Sequence, residues 1–103
     1  MEKGPIENKI INSLNHSMNI SSLKVLNESY MHNAPKDSES HFKMVIVSND
    51  FKNLSSIQRH KLIYRSLGNI MNEIHALSIQ AFSEDEFALK PIILDSPECA
   101  NKA

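Results

Sequence analysis

The sequence predicts an α+β domain in which helices cover one face of a three-stranded sheet, in the order helix, strand, strand, helix, strand, helix. Three observations point there. A chain of 103 residues has room for one hydrophobic core and not for two. The run "HFKMVIVSN" packs β-branched and aromatic residues over 42–48, the clearest strand signal in the chain. Downstream, Ile63, Leu67, Ile70, Met71 and Ile74 recur at helical spacing.

Each element has a local reason. Pro5 after Gly4 suits a first helical turn, and Ile6, Ile10, Ile11 and Leu14 then share one side, so a helix is expected over 5–16. "LKVLNESYM" sets Leu23, Val25 and Asn27 against Lys24, Leu26 and Glu28, which reads as a strand with mixed faces. "HNAPKDSES" has no apolar anchor and is expected to be a long exposed loop before the second strand, the two strands pairing antiparallel. Ser55 with Gln58 forms a capping box for the main helix, which the apolar stripe carries through Gly68. That glycine costs roughly 1 kcal/mol relative to Ala inside a helix, so it marks either close packing or simple tolerance. "ALSIQAF" alternates Leu77, Ile79 and Ala81 with Ser78 and Gln80, a half-buried strand that leaves one sheet face wet. Ser83 and Glu86 make a second capping box for a short last helix. One domain over 1–90 and a mobile tail over 91–103 follow.

Composition narrows the function classes. With 41% hydrophobic and 22% charged residues the chain has the make-up of a soluble globular protein, and no apolar run nears the roughly 18 residues a membrane helix needs. The first twenty residues lack a signal-peptide core, so a cytoplasmic location is expected. The single Cys99 excludes an intrachain disulfide and a cysteine-only metal site. A net charge of −1 argues against a dedicated nucleic-acid binder while leaving room for a local basic patch. No nucleophile with a base nearby in sequence and no phosphate-binding loop is visible, so an enzyme is not expected.

Three blocks are more specific. "ESYMHNAPKDSESHFKMVIVSNDF", "LSSIQRHKLIYRSL" and "IHALSIQAFSEDEF" resemble successive segments of the BolA family, in the right order and over about Ile6 to Cys99. The Arg59-His60 pair, the His75-Ala76-Leu77 triplet and "SESHF" carry most of that resemblance. It implies a fold similar to a class II KH domain, although neither Gly4 nor Gly68 stands in the GXXG loop with which KH domains clamp nucleic acid.

Five histidines, His16, His32, His41, His60 and His75, offer imidazole ligands, and no pair has the close helical spacing of a zinc protease site. From the residues alone each is either a ligand or a surface or capping group. The resemblance, to BolA proteins of the histidine-loop type, implies that His32 and His75 are metal ligands. It also implies that the partner is a monothiol glutaredoxin, whose cysteine and bound glutathione supply two thiolates to a shared [2Fe-2S] cluster. The isolated chain would then hold no cluster, being half a site and a monomer or weak homodimer. His41 is expected only to flank the strand.

Arg59, His60, Lys61 and Arg65, with Lys52 just before them, form a basic edge expected on the solvent side of the main helix, away from the apolar stripe. The resemblance places Arg59 and His60 at a partner-facing or nucleic-acid-facing surface. It also implies the alternative role of a DNA-binding transcriptional regulator of cell morphology, division and stress response.

Overall fold

The computed structural model describes residues 4–29 and 39–89. Helix α1 spans Pro5–Ser17, strand β1 Ile20–Asn27, strand β2 His41–Ser48, helix α2 Ser56–Leu67, strand β3 Ala76–Phe82 and helix α3 Glu84–Leu89. Two 3-10 turns, Asn49–Phe51 and Gly68–Asn72, lead into and out of α2. The predicted α+β order is therefore present, and the expected tail from 91 onward lies outside the described residues.

β2 is the middle strand. It runs antiparallel to β1, with Val25 opposite Met44, and parallel to β3, with Met44 opposite Ile79. Two parallel neighbours cannot be joined by a tight turn, so the chain must cross over between them, and α2 is that crossover. Phe42, Met44 and Ile46 on one face of β2 meet Ile10 and Leu14 of α1 and Ile63 and Leu67 of α2 in a single buried cluster. The residues four apart on each helix are those that share its inner face.

α1 obtains its cap from a distance. Gly4 has no side chain to offer, and the Glu39 carboxylate instead accepts from the Ile6 N–H at 3.1 Å and the Glu7 N–H at 3.0 Å. These are orphan donors of the first turn, where a negative charge also complements the helix dipole. A Cβ on residue 4 would run into that carboxylate, which explains the glycine by space rather than by conformation.

Three expectations need correction. The main helix stops at Leu67 instead of running through Gly68, which has φ 55° and ψ −126°, a conformation open only to glycine. A Cβ there would touch nothing within 4 Å, so close packing is not the reason for the glycine. Ile70, Met71 and Ile74 continue the stripe because the following 3-10 turn lays them back on the core.

β1 starts at Ile20, three residues before the expected Leu23, and stops at Asn27. The Asn27 Oδ1 accepts from the Ser29 N–H at 3.0 Å, a local turn that ends the ladder. Residues 30 and 31 of the expected strand lie outside the described residues.

The far face of the sheet is not wet at its centre. Val45 and Val47 on that face of β2 are 4% and 2% exposed. A middle strand is shielded on both flanks, and the Phe82 ring beside Val47 meets Phe87 of α3 at 5.9 Å between centroids.

Candidate functional site

The parallel register of β2 and β3 brings their first residues to the same end of the sheet, with His41 opposite Ala76. The Ser40 carbonyl accepts two N–H groups there, from His75 at 2.7 Å and from Ala76 at 3.1 Å. Ser40 is itself held, because the Ser29 hydroxyl oxygen accepts from the Ser40 N–H at 2.9 Å and the His41 N–H at 3.1 Å. Ser29 is 2% exposed and donates its hydroxyl proton to Asn27 Oδ1 at 2.6 Å. A buried hydroxyl with two incoming donors and one outgoing bond is satisfied, and fixes three chain segments at one point.

On this base stand two imidazoles. The His75 side chain is exposed and that of His41 half-buried, and their rings lie 5.1 Å apart between centroids, tilted by 51°. The His41 Nδ1 pairs with the Ser40 hydroxyl at 2.9 Å. His75, expected from the sequence as a ligand, is thus presented to solvent by a rigid backbone. His32 lies outside the described residues. Its covalent tether to Ser29 is three residues long, a span of about 10 Å at full extension.

His41 was expected only to flank the strand; it does so, and also packs on His75. Nothing local in the sequence signals that contact, because it depends on a parallel register between strands separated by a whole helix. Among the described residues no group of three or more His, Cys, Asp or Glu side chains converges on a metal position. Any further ligand at this end must come from elsewhere.

The second set of candidate residues divides. Arg59, expected at the surface, is 8% exposed and engaged inside the fold. Its guanidinium clamps Glu86 with two bonds of 2.6 and 2.8 Å, donates to the Ala81 carbonyl at 3.1 Å and through Nε to the Leu54 carbonyl at 3.0 Å. It also lies 5.9 Å from the centre of the Phe51 ring. The hydrogen bonds from Arg59 and Ser83 hold the Glu86 carboxyl down at about 2, and the carboxylate in turn raises the Arg59 pKa. The spacing held the clue: Arg59, Ile63 and Leu67 stand at i, i+4 and i+8, so Arg59 belongs to the inner stripe.

His60 is half-buried and sets its ring edge-on to Tyr64 at 6.4 Å. Lys61 and Arg65 are exposed, and with Leu54, Gln58 and Leu62 they border a shallow depression on the outer side of α2. No helix among the described residues is long and apolar enough to cross a membrane.

Comparison with known proteins bears on both surfaces. The family model described as BolA-like protein matches residues 14–86. A BolA-like protein of Dictyostelium discoideum is 53% identical over 78 residues, covering 74% of this chain and 68% of its own. The DNA-binding transcriptional regulator BolA of Haemophilus influenzae is 45% identical over 80 residues, 76% of this chain and 78% of its own. Among solved structures, mouse BolA1 superposes with a TM-score of 0.81 at 35% identity, covering 94% of this chain and 80% of that one. The BolA domain of Arabidopsis thaliana SufE1 gives 0.75 at 36% identity, covering 82% and 99%. A matched segment that runs from the end of α1 to the Glu86 clamp takes in the sheet, both histidines at its end and the whole of α2, so this chain belongs to the BolA-like family.

Proposed function

We propose that this chain is an iron–sulfur adaptor that presents His75 to a [2Fe-2S] cluster carried by a monothiol glutaredoxin and its glutathione, with His32 as the second histidine. The observation that supports this reading is the exposure of the His75 imidazole on a backbone pinned by the Ser40 carbonyl at 2.7 Å. The donor chemistry fits, since imidazole replaces thiolate on one iron of Rieske-type clusters. Two neutral ligands in place of two thiolates make such a site less negative, which raises its potential and makes ligation sensitive to protonation near neutral pH.

Titration of the chain into a reconstituted [2Fe-2S] glutaredoxin homodimer, followed by visible circular dichroism, tests the reading. A new spectrum that saturates at one to one and is lost in His75→Ala is the expected result. A spectrum that stays that of the homodimer, with the added protein folded, sinks it.

A second reading, a DNA-binding transcriptional regulator, rests on the exposed Lys61 and Arg65 of α2 and on relatives that bear that name. Phosphate contacts by these two cations predict affinity that falls steeply with salt, with a slope that flattens by about 1 for each lysine or arginine removed. A duplex titration of Lys61→Ala and Arg65→Ala at several salt concentrations measures that slope.

A further inference from the structure

We propose that His41 and His75 together form a bis-imidazole site for a single divalent late-transition ion, Zn²⁺ in the first instance, which the chain binds without any glutaredoxin. The ring separation carries the argument. With a Zn–N bond of about 2.0–2.1 Å and a ring centre about 1.1 Å beyond its nitrogen, two imidazoles at the tetrahedral angle have centroids about 5.1–5.2 Å apart. The observed 5.1 Å matches that value. The right angle of a square-planar site would ask for about 4.5 Å, so the spacing favours a tetrahedral ion over Cu²⁺.

The surroundings have the character of a metal site's outer layer. A metal-bound histidine usually holds its other ring nitrogen in a hydrogen bond, and the Ser40 hydroxyl stands at His41 Nδ1 at 2.9 Å. His41 would then bind through Nε2. A vacant nitrogen is not required, because an imidazole exchanges a hydrogen bond for a metal bond when the ion arrives. His75 is open to solvent, which gives the ion its approach. The hydrogen bonds from Ser29 and Ser40 fix the backbone of both histidines before the ion comes, so little ordering remains to be done on binding. Two protein ligands leave two positions for water or for donors of another molecule. This site goes beyond the adaptor role and competes with it, since His75 cannot serve a zinc ion and a cluster at once.

The test is calorimetric titration of the untagged full chain with Zn²⁺ in glutaredoxin-free buffer, with His41→Phe, His75→Ala and His32→Ala alongside. One ion per chain is expected, weakened about tenfold or more in His41→Phe and His75→Ala, with His32→Ala unchanged. In the unmodified protein, the ring ¹⁵N resonances of both His41 and His75 should move on adding Zn²⁺, a readout that survives if a variant misfolds. No saturable binding, or binding by His41→Phe equal to that of the unmodified chain, would leave the 5.1 Å spacing as an ordinary ring contact and overturn the site. So would a loss in His32→Ala as large as that in His75→Ala. Because no glutaredoxin is present, none of these results decides the cluster reading, which stands or falls on its own titration.

Discussion

Arg59 shows how a single residue can be misplaced by its charge. A guanidinium is rarely buried unless its donors are paired, and here Glu86 and the Ala81 and Leu54 carbonyls take them. Removing one partner of such a clamp leaves buried groups unsatisfied, so Arg59→Ala should destabilise the fold by about 2–3 kcal/mol in denaturant titration. Glu86→Gln should cost less, because the Glu86 side chain is 48% exposed and water screens its charge. The same pair sets an acid limit. The Glu86 carboxyl titrates at about 2 when folded against an ordinary 4.5, so between those values the unfolded chain binds the extra proton. Its contribution is complete above pH 4.5 and drains away as the pH falls toward 2. Acid unfolding of Glu86→Gln should therefore be flatter across that window, and salt should shrink the difference.

At the scale of elements, the two ends of α2 are written in different terms. The start is a side-chain matter: Ser55 Oγ accepts from the Gln58 N–H at 3.2 Å and Gln58 Oε1 accepts from the Ser55 N–H at 2.8 Å. Both residues could be read from the sequence as a capping box, and Ser55→Ala should cost about 1 kcal/mol. The stop is a backbone matter. Gly68 sits at φ 55° with open space where a Cβ would go, so Gly68→Ala should destabilise by about 1 kcal/mol or more through conformation alone. Were the helix continuous through residue 68, the same substitution would stabilise it. Chemical denaturation of this one variant separates the two cases by sign. An apolar stripe could not show the stop, because Ile70, Met71 and Ile74 reach the same core from a 3-10 turn.

For the molecule as a whole, the middle strand decides what is buried. Met44 and Ile46 face the helices and Val45 and Val47 face the other way, yet all four are at most 4% exposed. Val45→Thr, which keeps shape and strand propensity, should cost about 1–2 kcal/mol because its hydroxyl enters a dry place. On a wet face it would be nearly neutral, and thermal melts distinguish the two. The sheet's end was legible only in part. His75 was named through the family resemblance, whereas its contact with His41 follows from a parallel pairing across 34 residues of intervening chain.

Local chemistry was enough to determine the number and order of elements, the two capping boxes at Ser55 and Ser83, the proline start of α1 and the apolar residues that fill the core. Each is a property of a few neighbouring residues, for which periodicity and hydrogen-bonding capacity are sufficient. Tertiary structure alone decided that Arg59 is inside, that Glu39 caps a helix more than thirty residues away, that both faces of β2 are dry, and that His41 meets His75. These depend on strand register and helix docking, which bring together groups that no spacing along the chain connects.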